Sequence, residues 1–328
     1  MAEWQYAERI LHVDLTARTF RVAPTALDLK RGYVGGAGFV ARLMAEGGEV
    51  VLASGPLSQG VAGRLSLGAR PGPGQPVSLS SLGGRMAAAL KESGFDAIVL
   101  TGRLSEPGCL VLNHGQVALE SAGDLWGLEV PAAEAAVARQ HGAGYASIVL
   151  GPGAENQVPF ATMAHEGHHA GGGGVAATLG AMRLKAIAVQ APREIPSRCE
   201  GCTIMCPGTD TPEAALAGAL GLDAPTAARL AALAEGCARE GLLPPVTLAD
   251  IARREGAGGL LAEGESAVLA RLGQAAEHLA ADLPPCRRRR GPGIADLLGT
   301  CQRVWHERPG QVLREALHNT LGLMATGA

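Results

Sequence analysis

The pattern of apolar residues changes once along the chain, and this change most limits the folds open to it. Up to about residue 190, short apolar runs such as Val50–Ala53 and Ala146–Leu150 are separated by turn residues, which is typical of strands. Between residues 213 and 282 the alanines and leucines instead recur at helical spacing. The sequence therefore predicts an α+β protein, with one domain at 1–193 and a second, helical domain at 194–328.

Individual elements can be predicted from the same patterns. Strands are predicted at 9–16 with 20–22 as a hairpin, and at 50–53, 97–100, 110–112, 146–150 and 184–189. Helices are predicted at 34–44, 84–92, 130–140 and 174–182. Glycine is abundant, at 47 of 328 residues, and aromatic residues make up only 3%. A core of small aliphatic side chains is expected, with many tight turns or backbone segments lying against a ligand.

Charge and cysteine usage exclude several classes of protein. A formal net charge of −3 does not suit a chain that neutralises nucleic acid. The first residues contain no basic segment followed by an apolar one, and no apolar run approaches the roughly 18–20 residues that cross a bilayer. We expect a cytoplasmic protein with no membrane or nucleic-acid partner. The chain has seven cysteines, which cannot all pair because the number is odd. In a chain expected to be cytoplasmic, this argues against a framework of disulfides.

Three of the seven cysteines lie within eight residues, at Cys199, Cys202 and Cys206. Closely spaced thiolates can bind one corner of a [4Fe–4S] cluster, with a fourth cysteine supplied from elsewhere in the chain. Zinc is the main alternative, although zinc sites usually carry a second tight cysteine pair and this chain has none. Unligated thiols are a third interpretation. The spacing favours the iron–sulfur cluster.

A second motif, His165-Glu-Gly-His-His169, matches the H-E-x-x-H pattern of zinc hydrolases. That chemistry requires a helix carrying both histidines on one face. Gly167 lies inside the motif and a glycine run begins at Gly171, so a helix here would be weak. A zinc hydrolase using His165 and His169 therefore stands as the less favoured alternative function.

Two glycine-rich turns precede predicted helices. The first, Gly36-x-Gly38, fits the dinucleotide fingerprint only in part, because no buried strand precedes it. The second, Ala170–Gly174, would expose backbone N–H groups that suit a phosphate. A tight crossing of two backbone segments explains the second run equally well, so both interpretations remain open at this point.

A longer series of segments resembles the aldehyde ferredoxin oxidoreductase family of tungsten or molybdenum pterin enzymes. The segments that carry this resemblance, in order, are 9–16, 35–38, 53–57, 63–66, 94–102, 124–127, 151–156 and 184–189, followed by the cysteine triplet. The resemblance implies an N-terminal β-rich domain of two sheets on which a bis-pterin metal cofactor sits, followed by a reduced α-helical region. It implies oxidation of an aldehyde to the acid, with electrons passed through the [4Fe–4S] cluster to ferredoxin.

The family's site residues transfer to this chain in part. Arg64 matches the arginine that binds the pterin phosphate, whereas Ser81 and Gly172 stand where the family has an asparagine and a second arginine. The pterin-binding positions that the resemblance implies are Arg64, Gly83, Gly84, Gly171, Gly173, Gly174, Gly221, Leu222, Asp223, Asp296 and Thr300. The cluster ligands that it implies are Cys199, Cys202, Cys206 and Cys301, with Cys286 as the alternative fourth ligand.

The resemblance assigns no catalytic acid or base, because the family's candidates have no counterpart in this chain. It implies ferredoxin or a similar electron acceptor and a small aldehyde as partners, with either a homodimer or a partner subunit. Gly218 stands where a pterin-binding motif of the family has its leading aspartate. The loss of this aspartate, and of the asparagine and arginine at Ser81 and Gly172, favours an alternative of another class. That alternative is a non-catalytic electron-transfer or scaffold subunit that retains only the cluster.

Overall fold

The computed structural model describes residues 6–59, 63–70, 72, 74–142, 144–171, 173–190 and 211–284. Within them, the first six strands are β1 (Arg9–Asp14), β2 (Thr19–Pro24), β3 (Val50–Ala53), β4 (Leu65–Ala69), β5 (Ser78–Leu82) and β6 (Ala97–Thr101). They form a first sheet in the order β2-β1-β6-β3-β4-β5. The β1/β6 pair is parallel and the other neighbours are antiparallel.

The remaining described strands form a second sheet. They are β7 (Gly108–Asn113), β8 (Gln116–Ser121), β9 (Tyr145–Leu150), β10 (Met163–His165), β11 (His168–Ala170) and β12 (Leu184–Gln190). Their order is β11-β10-β9-β12-β7-β8, and here only the β12/β7 pair is parallel among the described strands. The two sheets implied by the resemblance are confirmed.

Helices accompany both sheets and then follow them. Those between strands are α1 (Leu27–Tyr33), α2 (Ala37–Ala45), α3 (Met86–Glu92), α4 (Val130–His141), α5 (Pro152–Glu155) and α6 (Val175–Ala181). Those of the later region are α7 (Pro212–Ala219), α8 (Ala224–Arg239), α9 (Leu248–Arg253), α10 (Gly258–Ala262), α11 (Glu265–Leu272) and α12 (Gln274–Ala281). The α+β class is therefore confirmed.

Side-chain alternation explains why the central strands are buried on both faces. In β3, Leu52 points into a core shared by both sheets, whereas Val51 packs with Phe39 of α2. In β9, Ile148 points into the same shared core and Val149 packs beneath α4. Because consecutive side chains of a strand point to opposite faces, each sheet has an inner face in the common core and an outer face covered by a helix.

The later helices belong to the same core as the sheets. Leu230 of α8, Ile251 of α9 and Val268 of α11 are buried in the cluster that contains the inner faces of both sheets. Two of these helices begin with side-chain caps. Asp223 accepts a hydrogen bond from the Thr226 backbone N–H at the start of α8, and Thr247 forms a capping box at the start of α9.

The predicted elements are present, with small shifts at their ends. The helix expected from residue 34 begins at Ala37, because Val34 and Gly36 have positive φ angles of 66° and 48° that separate α1 from α2. The domain boundary at 193/194 falls in a stretch outside the described residues and stays a prediction. Among the described helices, none is long and apolar enough to cross a bilayer.

Each sheet carries a buried lysine–carboxylate pair. Lys91 Nζ donates to Asp96 Oδ1 at 2.7 Å beside the first sheet, and the two side chains are 2% and 0% exposed. In the second sheet, Lys185 of β12 donates to Glu155 and to the carbonyl oxygens of Leu128 and Leu150. Removing one partner of such a pair leaves an uncompensated charge in the interior.

We predict that Lys185→Met lowers the free energy of unfolding by about 3–5 kcal/mol, because Glu155 is left buried without its cation. Lys30→Met is the matched control, since Lys30 pairs with Glu8, whose side chain is 61% exposed. The control should cost less than about 1 kcal/mol. Urea unfolding measures both values, and equal losses in the two variants would contradict the prediction.

Candidate functional site

The H-E-x-x-H motif lies in a β-hairpin. His165 is the last residue of β10 and pairs with His168, the first residue of β11. The two turn residues, Glu166 and Gly167, have φ angles of 48° and 75°, as a type I′ turn requires. A zinc-hydrolase site needs both histidines on one helix, so that alternative function is wrong. Among the described residues, no group of three metal-binding side chains is arranged to hold an ion.

Arg64, the candidate phosphate-binding residue, directly precedes β4 and is fixed by the neighbouring strand. Its Nε donates to Ser81 Oγ at 2.7 Å and its Nη2 donates to the Ser81 carbonyl oxygen at 2.6 Å. Leu65 pairs with Leu82 where β4 and β5 lie side by side, and this pairing places Arg64 beside Ser81. No carboxylate within the described part of the chain pairs with Arg64, so its guanidinium keeps its positive charge available.

Gly83 and Gly84 lie against the imidazole rings of the hairpin. A Cβ placed on Gly84 would come within 2.5 Å of the His165 ring, and one on Gly83 would come within 3.0 Å of His168 Nδ1. Gly84 also has a φ of 84°, a conformation that favours glycine. Both glycines are therefore required for the hairpin to approach the end of β5.

The hairpin histidines carry polar atoms that lack partners. His165 is fully buried and its Nδ1 lies 2.7 Å from the Ser147 carbonyl oxygen, so Nδ1 donates to it. His165 Nε2 makes no hydrogen bond within the described part of the chain, but it lies 3.3 Å from Glu166 Oε2. We call Arg64, His165 and His168 the arginine–histidine cluster, since His165 and His168 pair across the hairpin and Arg64 acts on His168. His169 pairs with Ala164 and lies on the other face of the hairpin, where its Nδ1 is buried without a hydrogen bond to a described residue.

Burial keeps the three histidines of the hairpin neutral. Desolvation is the main cause that lowers the pKa of His165, His168 and His169 below 6.5. The charge of Arg64 lowers the pKa of His168 further. Glu166, paired with Arg85 at 2.5 Å, opposes the shift at His165 but is the smaller effect. The cluster thus combines a permanent cation with neutral imidazoles that can donate or accept hydrogen bonds.

The glycine run after the hairpin adjoins the same strand end. The Gly171 backbone N–H donates to Ser80 Oγ at 2.8 Å, next to Ser81, which holds Arg64. Gly171, Gly173 and Gly174 have φ angles of 101°, 131° and 96°, and Gly174 is the N-cap of α6. Residue 172 lies outside the described residues. Arg64, Gly83, Gly84 and Gly171 thus all lie beside β5 or its end, and their role in one binding site stays a prediction.

Gly221, Leu222 and Asp223 lie at a different turn. A Cβ on Gly221 would come within 2.9 Å of the Gly151 Cα, directly after β9, and Leu222 is 1% exposed. Asp223 caps α8. Their neighbour Gly218 packs on the other face of the β10/β11 hairpin, since a Cβ there would lie 3.1 Å from His169 Nε2. The backbone packing of these residues is defined, and their binding role stays a prediction.

Several predicted site residues lie outside the described residues. They are Cys199, Cys202, Cys206, Cys286, Asp296, Thr300 and Cys301. The two remaining cysteines, Cys109 and Cys237, are buried free thiols of the core. Sequence reasoning did not assign His165 and His168 to the Arg64 site. The sequence signal that could have found them is the H-E-G-H-H segment, which matches a motif usually found on a helix but forms a β-hairpin here.

Depressed histidine pKa values make stability depend on pH. Below about pH 6.5 the histidines of the unfolded chain bind protons, whereas the same histidines in the folded chain stay neutral. The free energy of unfolding is therefore highest above that pH and decreases below it. We predict that the free energy of unfolding decreases as the pH is lowered from about 7.5 to about 5.5. A double variant that carries both His168→Gln and His169→Gln should show a smaller decrease. His114→Asn, at an exposed turn, is the control. A slope unchanged in the double variant would contradict the prediction.

Sequence comparison connects this geometry to known proteins. The model of the family described as "Aldehyde ferredoxin oxidoreductase, N-terminal domain" matches residues 10–191, which include the whole arginine–histidine cluster. The tungsten-containing aldehyde ferredoxin oxidoreductase of Pyrococcus furiosus is 28% identical over 204 residues, covering 57% of this chain and 34% of that protein. The enzyme of the same name from Thermococcus kodakarensis is 29% identical over 204 residues, with the same coverage.

A relative with a different function is less similar in sequence. The WOR-like subunit of an aliphatic sulfonate oxidoreductase of Pyrococcus furiosus is 25% identical over 222 residues, covering 59% of this chain and 36% of that protein. The chain thus spans about a third of the length of these curated relatives.

A solved structure has the same fold. It is the active site complex BamBC of benzoyl coenzyme A reductase with 1,5-dienoyl-CoA, and it matches with a TM-score of 0.72 at 18% identity, over 84% of this chain and 64% of the other. At that identity the likeness shows the fold alone. The continuous match over residues 10–191, more than half of the sequence, shows that the chain belongs to the aldehyde ferredoxin oxidoreductase family, whose curated relatives here are tungsten-containing oxidoreductases.

Proposed function

We propose that this chain binds a tungsten or molybdenum pterin at the arginine–histidine cluster and takes part in oxidising an aldehyde, or a similar carbonyl, to the acid. The observation that carries the proposal is the environment of Arg64. Its guanidinium has no acidic partner within the described residues, and its charge lowers the pKa of the neighbouring His168. A cation without an acidic partner, beside an imidazole, suits a ligand with an anionic group and hydrogen-bonding edges.

The donor set fits a pterin that carries a phosphate. Arg64 supplies a charged fork for the phosphate oxygens. Gly83 and Gly84 let the rings of His165 and His168 pack directly on the backbone that follows β5. The half-buried imidazole of His168 lies close enough to Arg64 for the arginine's charge to lower its pKa, and it can donate or accept a hydrogen bond. Arg64 and His168 therefore match the charged and the polar parts of such a cofactor.

Each residue would have a separate role. Arg64 binds the anionic group, and Ser81 orients it through two hydrogen bonds. The half-buried imidazole of His168 would hydrogen-bond the ligand beside Arg64. When bound, the metal–pterin group supplies the chemistry that converts aldehyde and water to the acid with release of two electrons and two protons. We assign no catalytic acid or base to this chain.

The electrons need a route out of the site. We propose that Cys199, Cys202 and Cys206 bind a [4Fe–4S] cluster with Cys301 as the fourth ligand, or Cys286 in its place. The cluster would pass electrons to ferredoxin or a similar acceptor. Thiolate ligation by a C-x2-C-x3-C triplet plus one distant cysteine supports this assignment.

A scaffold or electron-transfer subunit without the pterin metal is the second candidate. Two positions favour it, since Gly172 and Gly218 lack the charged side chains of the family's motifs. One relative is itself the WOR-like subunit of an oxidoreductase, which favours a partner subunit, with a homodimer as the alternative. In this candidate the cluster remains and the arginine–histidine cluster binds no metal cofactor.

The proposal predicts that Arg64→Gln lowers the pterin bound per chain. Loss of a charge-assisted hydrogen bond should weaken binding at least about tenfold. The variant is purified without oxygen from cells supplied with tungstate and molybdate, and the released pterin is measured by fluorescence after oxidation. Arg31→Gln, at an exposed position of α1, is the matched control.

The outcomes separate the two candidates. Wild-type protein and Arg31→Gln should carry pterin, and Arg64→Gln should carry much less. Equal pterin in all three proteins would contradict the role of Arg64. Protein that binds iron but carries no pterin in any of the three forms would support the scaffold candidate instead.

A further inference from the structure

A second cationic site lies far from the arginine–histidine cluster, in a cleft of about 400 Å³. Its lining includes the buried side chains of Leu15 and Leu104 and the three arginines Arg18, Arg103 and Arg183. No aspartate or glutamate is among the lining residues, all of which belong to the described part of the chain. We call it the three-arginine cleft.

The cleft lies where the two sheets join. Arg18 is in the β1/β2 turn, Arg103 is in the connection from β6 to β7, and Arg183 lies between α6 and β12. Backbone hydrogen bonds hold these segments together, from Arg103 N–H to Thr16 Oγ1 at 2.9 Å and from Leu104 N–H to the Met182 carbonyl oxygen at 3.1 Å. The three arginines are therefore placed by the fold itself.

This position is at the opposite end of the first sheet from Arg64. The cleft adjoins the end of β6 at Thr101, where β1 ends at Asp14. Arg64 directly precedes β4, and the neighbouring Ser66 pairs with Ala53 of β3. Ala53 in turn pairs with Ala97, where β6 begins, so Arg64 lies at the end of the sheet where β6 starts. The two cationic sites are thus separated by the length of the central strands and can be tested independently.

The three guanidinium groups lack carboxylate partners in the described residues. Arg18 donates to the Leu119 carbonyl oxygen at 2.9 Å and Arg183 donates to that of Ser105. The Arg103 side chain makes no hydrogen bond or ion pair with any described residue. Uncharged carbonyl oxygens leave the positive charges of Arg18 and Arg183 uncompensated, and like charges brought together in one cleft repel each other.

We propose that the three-arginine cleft binds a small, multiply charged oxyanion, carrying phosphate or carboxylate groups. Each guanidinium offers a planar set of N–H donors that matches two oxygens of such a group. The anion would offset the repulsion among the three cations, and the apolar floor of Leu15 and Leu104 strengthens the attraction by excluding water. The volume suits a small molecule more than a protein segment.

The test is titration calorimetry of the full chain with pyrophosphate and, separately, citrate, at an ionic strength held constant with chloride. Saturable binding near one anion per chain is expected for at least one of them, and the tighter of the two identifies phosphate or carboxylate as the recognised group. Arg103→Gln should weaken that binding at least tenfold. Arg31→Gln, which removes the same charge from an exposed helix position, should leave it unchanged.

Two further measurements keep the test decisive. Because Arg103 has no partner in the described residues, Arg103→Gln should not lower the Tm measured without anion. Arg64→Gln should retain full anion binding. The proposal is overturned if neither anion binds saturably, if Arg103→Gln binds as wild type does, or if Arg64→Gln abolishes binding, which would place the anion at the arginine–histidine cluster.

Discussion

The buried Lys185–Glu155 pair is the interaction on which most of the second sheet and its neighbours depend. Lys185 Nζ donates to Glu155 and to carbonyl oxygens at the end of β9 and before α4, and Glu155 also accepts from the Gly127 N–H at 2.8 Å. These bonds fix α5 directly after β9. Gly153 of α5 then donates to the Leu220 carbonyl oxygen at 2.9 Å, so the helical region docks where the pair has placed the backbone.

Close backbone contacts are the second constraint, and they explain much of the glycine content. A Cβ on Gly180 of α6 would lie 1.8 Å from the Ala154 carbonyl oxygen, and one on Gly84 would collide with His165. These contacts allow α6 to pack on α5 and the β10/β11 hairpin to reach the end of β5. The candidate site therefore arises where the edge strands of the two sheets meet. Its cationic and imidazole groups come from both sheets, which explains why neither sheet alone would form it.

Several strands buried on both faces could be predicted from the sequence, because runs such as 50–53 and 146–150 are continuously apolar. The strand β4 is buried at all five positions but was not predicted, because a serine and a glycine interrupt its apolar run. The Ser-rich β5 and the exposed β8 lack the apolar signal and were not predicted either. The β10/β11 hairpin was obscured by a motif associated with helices. The partnership of Lys185 with Glu155 could not be predicted, because it depends on a fold that brings residues 30 positions apart together. The binding role of Arg64 and the cysteine ligands stay predictions.

The metal content of the anaerobically purified full chain tests the central claim most directly. Elemental analysis should find about four iron atoms per chain, as one [4Fe–4S] cluster requires, together with tungsten or molybdenum. Iron without either heavier metal would leave only the cluster and contradict the pterin site at the arginine–histidine cluster. A single zinc and no iron would contradict both the cluster and the proposed oxidoreductase function.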